Sequence, residues 1–232
     1  KIALVVATVS ALSQLLSGHS SAEVVAEHQP AKLAAMEGHF EADAPADLYI
    51  LGWVDKESKE TTGLAVPGGL GLLLHGDPNA NVSGLDAFPE DEQPSQLNAV
   101  FQFYHIMVAI GMLLIGLTLF ASFQWWRGKL FEKKWLLKVF VFAVFLPQIA
   151  NQVGWFTAEM GRQPWVVYGL LKTSDALSAT VSANQIWFSL ILFTLIYVVL
   201  FGLFVYLLHR KIKHGPYTAE EMEQNNHQQI TA

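Results

Sequence analysis

Hydrophobic positions in this chain gather into long unbroken runs, and three of these approach or exceed the roughly 20 residues that a bilayer-spanning helix requires. They cover residues 97–123, 135–156 and 186–208. A fourth apolar run, residues 2–17, opens the chain directly after Lys1. Lys1, an apolar stretch and small residues behind it fit a signal peptide. The other reading is the end of a spanning helix whose upstream portion is missing, and it suits a topology in which four spans alternate. The pattern predicts an all-α integral membrane protein: three complete transmembrane helices plus the end of a truncated one. Pro147, inside the run at 135–156, predicts a kink.

The segment between the first two spans, residues 18–96, is longer than a connector needs, and such loops are usually functional or disordered. Within it PAKLAAMEGHF, residues 30–40, reads as a short helix with Pro30 in its first turn and Gly38 near its end. Residues 48–54 and 63–74 read as short extended strands or a hairpin. The predicted division is a truncated transmembrane helix at 1–17, a long outer loop at 18–96, spans at 97–123, 135–156 and 186–209, connectors at 124–134 and 157–185, and a tail at 210–232.

Composition agrees with the hydropathy pattern. Hydrophobic residues make up 52% and charged residues 15% of the chain, too apolar for an ordinary soluble domain of this size. There is no cysteine, which excludes disulfides, thiolate clusters and cysteine-ligated metals from this sequence. Of the 20 acidic residues, 14 lie between Glu23 and Glu92, so the net charge of -6 reflects one acidic, water-facing segment. Basic residues cluster elsewhere: Arg127, Lys129, Lys133, Lys134 and Lys138 between two spans, and Arg210, Lys211 and Lys213 after the last. The positive-inside bias makes both places cytoplasmic and turns 18–96 and the loop after residue 156 outward. No basic, aromatic-interleaved stripe exists, so nucleic acid is an unexpected partner.

Candidate chemistry begins on the run at 135–156 and its continuation. Gln148, Asn151, Trp155, Glu159 and Arg162 recur at steps of three or four residues and so form one polar stripe on a helix that lipid would want apolar. An ionisable group in such a place makes a functional site the default reading. The plain alternative is an i,i+3 pair of Glu159 with Arg162 that merely closes the helix end. On the preceding span Tyr104, Met107 and Gly111 share a face; a methionine there is more often core packing than a ligand. Lys32 and Glu37, five residues apart on the short outer helix, read without further context as a solvated charged face.

Two stretches carry a family resemblance. GWFTAEMGRQPW, residues 154–165, with its run GRQPW, and EHQPAKLAAMEGHFE, residues 27–41, resemble the large subunit (subunit I) of cytochrome bd-type quinol oxidases, here its C-terminal half. The wording of the second stretch and the shortness of the loop look like the cyanide-insensitive branch. The resemblance implies that Met107 is the axial ligand of a low-spin b haem and Glu159 the carboxylate ligand of a high-spin b haem. It implies that Trp155 lies among the haems and that Arg162 partners haem propionates. Lys32 and Glu37 would be the working residues of quinol oxidation, one as hydrogen-bond donor and one as proton acceptor.

The sequence departs from the family at His105, where arginine is common, which puts propionate neutralisation in doubt. As a haem ligand His105 is the weaker candidate, because it points off the Met107 face. His28 and His39 bracket the outer helix and offer a weak proton relay; His19, His75, His209, His214 and His227 show no ligand spacing. The resemblance further implies two b haems with haem d or a third haem b, a second subunit and small accessory subunits, and a bacterial inner-membrane location. The implied reaction is quinol oxidation coupled to reduction of dioxygen to water and to a proton gradient, which this segment alone would not perform. Without the two motifs, a polytopic transporter lined by the Glu159 stripe, or a membrane anchor displaying an acidic loop, would fit equally.

Overall fold

A computed structural model of the chain describes residues 1–42, 45–178 and 180–215. The predicted tail beyond residue 215, His227 included, lies outside the described residues. The chain divides into two units, Lys1–Ala176 and Leu177–Ala232. Four helical stretches among the described residues are long and apolar enough to cross a membrane: Ile2–His28, Leu97–Trp126, Lys134–Arg162 and Ala183–His214. The structure is thus that of an all-α integral membrane protein, its few strands confined to connecting segments.

In the first unit helix α1 (Ile2–His28) runs well past the apolar stretch that predicts it. The polar continuation GHSSAEVVAEH holds nothing that breaks a helix, and Glu23 pairs with His19 one turn back. Helix α2 (Pro30–Glu37) follows almost at once. It begins with Pro30 at its first turn and ends at Gly38, whose φ of 65° is left-handed. A side chain at Gly38 would meet Thr61 Oγ1 at 2.8 Å and Val54 Cγ2 at 2.9 Å, so the cap also admits the neighbouring hairpin. That hairpin pairs β1 (Leu48–Asp55) with β2 (Glu60–Val66), antiparallel, from Leu48↔Val66 to Asp55↔Glu60.

The expected second strand stops early. Residues 69–75 form helix α3 (Gly69–His75), because Leu70 and Leu74, four apart, pack into one cluster with Leu33, Ala46 and Val82. A four-residue step is helical; alternation would have sent Leu70, Leu72 and Leu74 to the same face of a strand.

Helix α4 (Leu97–Trp126) is the axis of this unit, packing against α1, α2, β1 and α6. Its first turns supply Leu97, Val100 and Phe101 to a core shared with Ala34, Ala35 and Met36 of α2 and Val54 of β1. Farther along, Thr8 of α1 and Ser122 of α4 are joined by a 3.0 Å hydrogen bond, the kind of polar link that holds helices where lipid removes the hydrophobic driving force. The run at 135–156 is interrupted as expected near Pro147: α5 (Lys134–Ala143) and α6 (Leu146–Arg162) are separate helices, with the proline in the first turn of α6. After Arg162 the GRQPW stretch turns into a small hairpin, β3 (Trp165–Val167) with β4 (Leu171–Lys172). In the second unit α7 (Ala183–His214) opens with a capping box of Ser182 and Gln185. Its apolar surface is fully exposed, as a lipid-bathed helix requires.

Candidate functional site

Helix α6 presents two faces. Gly154, Thr157 and Gly161 recur at three and four residues and turn toward α4 and α2; Thr157 and Gly161 are buried. The polar stripe lies about a third of a turn away around the helix, as 100° per residue dictates. Gln148, Asn151 and Trp155 on that stripe are exposed within this unit, and Glu159 and Arg162 are half-buried. Arg162 Nη2 donates a hydrogen bond to Glu159 Oε2, forming the i,i+3 ion pair. Its Nε is buried and has no hydrogen-bond partner among the described residues. The guanidinium therefore retains one donor in reserve, and a buried donor without an acceptor is costly.

The glycine face explains where the thioether sits. A Cβ at Gly154 would stand 2.6 Å from Met107 Sδ, so the missing side chain is what lets the sulfur enter the seam between α4 and α6. Met107 and the Glu159 stripe are thereby carried on two helices in direct contact. At Gly161, the first residue of GRQPW, a Cβ would stand 3.2 Å from Lys32 Cγ and 3.3 Å from Val100 Cγ1. The stem of Lys32 thus crosses the end of α6, its ammonium under the influence of both Arg162 and Glu159. Burial holds the Lys32 pKa below the ordinary lysine range; repulsion from Arg162 adds to this and attraction to Glu159 opposes it.

Glu37 occupies a different side of α2. It is only 1% exposed, and Oε2 has no hydrogen-bond partner among the described residues. Burial raises its pKa to about 7, against the opposing pull of a hydrogen bond with Tyr104 of α4. Lys32 and Glu37 therefore address α6 and α4 respectively. Leu33 and Met36 between them are packed into two protein cores.

His105 is fixed by both ring nitrogens: Nδ1 lies 2.8 Å from the Phe101 carbonyl and Nε2 2.8 Å from that of Tyr49. It pins β1 to α4, its ring stacked on Phe101, and neither nitrogen is left for iron. His39 is buried with Nε2 3.2 Å from the Val82 carbonyl, whereas His28 is exposed at the end of α1. The β3–β4 hairpin packs beside the end of α6: Trp165 is buried, Lys172 pairs with Asp91 at 2.6 Å, and Tyr168 reaches the backbone of Ala31.

Sequence reasoning separated the Lys32 helix from the Glu159 stripe and left Tyr104 without a role. The small-residue spacing Gly154, Thr157, Gly161 was the legible sign that α6 has a second, close-packing face.

A family model described as cytochrome bd terminal oxidase subunit I matches residues 1–216. The chain is 32% identical over 240 residues to the cytochrome bd ubiquinol oxidase subunit 1 of Bacillus subtilis (strain 168), covering 99% of this chain and 50% of that protein. It is 37% identical over 211 residues to a putative cytochrome bd menaquinol oxidase subunit I of the same organism, covering 89% of this chain and 46% of that one. Among solved structures, the bd oxidase from Geobacillus thermodenitrificans superposes with a TM-score of 0.75 at 34% identity, over 90% of this chain and 48% of that chain. The chain spans about half the length of the curated relatives it matches.

Proposed function

Because the chain belongs to the cytochrome bd terminal oxidase subunit I family, we propose that it is the part of such a subunit that oxidises quinol and holds two b haems. The observation that carries this reading is the contact of Lys32 with Gly161, which lays the outer helix on the helix end bearing Glu159 and Arg162. A quinol bound at α2 would give up its electrons within reach of the residues that hold the haems.

The donor set suits iron porphyrins. Met107 offers a thioether in an interhelical seam, Glu159 a carboxylate, and Arg162 a buried Nε that still needs an acceptor, as a propionate would supply. Met107 would hold the low-spin haem and Glu159 the high-spin haem, with Trp155 beside them. The bound haems supply one-electron carriage, and a thioether ligand raises the potential of the first. Haem d or a third haem b would serve as the oxygen site.

The chain's own residues manage the quinol and its protons. Lys32 donates a hydrogen bond to a quinol oxygen, and Glu37 accepts a proton. A carboxylate whose pKa is near 7 is matched to that task, since it is ionised often enough to take a proton and basic enough to keep it. The whole reaction oxidises two quinols to two quinones and reduces one dioxygen to two waters. Four protons are released at the outer loop and four are drawn from the cytoplasm, so charge separates without a pump. This requires 18–96 outside and the tail after α7 inside, as the basic clusters indicate. A second subunit and small accessory subunits complete the complex in the bacterial inner membrane. The exposed polar stripe of α6 favours this over a transporter or an anchor, because in the family it has haem and partner surfaces to meet.

Steady-state quinol oxidation by the assembled full-length oxidase tests the reading. Lys32→Ala should raise the quinol KM about tenfold, the loss expected for one hydrogen bond to a charged group, while leaving haem content unchanged. An unaltered KM would contradict the assignment.

A further inference from the structure

Three polar residues in the first turns of α4 bind the β1–β2 hairpin. Asn98, Gln102 and His105 recur at four and three residues and so share one face of the helix. Three backbone groups of β1 turn to that face. Asn98 Oδ1 accepts a hydrogen bond from Val54 N at 3.1 Å, Gln102 Nε2 donates to the Gly52 carbonyl at 2.7 Å, and His105 Nε2 stands 2.8 Å from the Tyr49 carbonyl. The Asp55 end of β1 therefore lies beside the start of α4, and its Leu48 end lies two turns farther along. The depth of that lower end follows from α4 itself. At its far end Trp125 and Trp126 are followed by Arg127 and Lys129, the aromatic and basic residues of a membrane surface. A hydrocarbon core of about 30 Å takes about 20 residues of helix, so counting back from Trp126 the opposite surface falls near Ile106. Burial marks the same point, since Leu97, Val100 and Phe101 are buried in the protein core and Ile106 is the first exposed large apolar residue of α4.

What the hairpin presents at that depth is apolar. Leu51 and Leu64 face each other across the strands and are 65% and 61% exposed, with Ile50 exposed beside them. Helix α3 starts against the same end, where a Cβ on Gly69 would stand 2.7 Å from Leu48 Cβ, and it exposes Leu72 and Leu73. The opposite end of the hairpin is charged: Lys56, Glu57, Lys59 and Glu60 are exposed, and Lys59 pairs with Glu90 at 3.5 Å. Trp53, also exposed, lies between the two ends, and indole rings favour the boundary between membrane and water. The hairpin thus changes from apolar to charged along the direction in which a bilayer gives way to water. A lipid surface imposes such a gradient, and a protein partner does not. We infer that the Leu48 end of the hairpin and α3 rest in the bilayer surface, with Ile50, Leu51, Leu64, Leu72 and Leu73 among phospholipid headgroups and the first acyl carbons. The occupant of this apolar face is membrane lipid, continuous with the lipid around α4 from Ile106 onward.

Photo-cross-linking tests this in the assembled full-length oxidase, embedded in nanodiscs of phosphatidylethanolamine and phosphatidylglycerol. The photoreactive residue p-benzoylphenylalanine takes the place of Leu51, Leu64, Lys56 or Leu113 in turn, Leu113 being an exposed position on the spanning part of α4. Haem content equal to the parent shows that each variant has assembled, and Ile50 or Leu72 replaces a position whose variant loses haem. After illumination and digestion, the peptides labelled at Leu51 and at Leu64 should gain the mass of one phospholipid, as the peptide labelled at Leu113 does. The peptide labelled at Lys56 should not. Cross-links from Leu51 or Leu64 to another part of the subunit or to another subunit would overturn the inference. So would the lack of any adduct at either position while Leu113 reacts, or lipid adducts at Lys56 as abundant as those at Leu51.

Discussion

At Met107 and Gly154 a single absent methyl group decides where a sulfur atom lies. A Cβ at Gly154 would stand 2.6 Å from Met107 Sδ, far inside van der Waals contact, and the thioether is the more mobile of the two partners. Gly154→Ala should therefore displace the sulfur rather than the helix, shifting the reduced-minus-oxidised band of the low-spin haem while the protein still assembles. An unshifted band would separate Met107 from that haem. Glu37 argues by electrostatics. Its pKa rises from 4.5 to about 7 on burial, so the folded state binds the proton more tightly than the unfolded state does. Stability is then greatest below pH 4.5, falls as pH climbs toward 7, and is lower by on the order of 3 kcal/mol above that. Limited proteolysis of the outer loop should accelerate across that interval, and Glu37→Gln should flatten the dependence. The candidate residues themselves could be singled out in the sequence, since Glu159, Arg162, Lys32 and Glu37 sit in two recognisable stretches and Met107 lies on the apolar run between them. Their neighbours could not be, because the contact of Lys32 with Gly161 joins residues far apart in the chain, and no local spacing encodes it.

Elements behave in the same way. Hydropathy predicts all four membrane helices, and Pro147 predicts the break between α5 and α6. The bounds of α2 follow from Pro30 and Gly38. The misreadings came where local pattern was ambiguous: α1 continues through polar residues that favour helix nearly as well as apolar ones. Residues 69–75 are rich in leucine and glycine, and only the packing of Leu70 with Leu74 settles them as helical. The seam of α2 on α6 depends on Gly161 having no side chain, since a Cβ there would approach Lys32 and Val100 at 3.2 and 3.3 Å. Gly161→Val should cost roughly 1–3 kcal/mol of packing strain. It should raise the quinol KM, as Lys32→Ala does, while the low-spin haem signal survives. Loss of haem with an unaltered KM would mean that the seam serves the haems and not the outer helix.

For the whole molecule, the central claim is that polar groups on α4 and α6 are tolerated in a membrane because they hold iron porphyrins. Apolar helices are otherwise fully adequate as spans, as α7 illustrates with its exposed apolar surface. The chain corresponds to about half of the related subunits, so the property belongs to the assembled complex. The most direct measurement is the reduced-minus-oxidised absorbance spectrum of the full-length protein, purified with its partner subunits from cells supplied with haem. Low-spin and high-spin b signals are expected together, the first lost in Met107→Leu and the second disturbed in Glu159→Ala while the first remains. A colourless complex, or a Met107→Leu spectrum identical to the parent, would contradict the account.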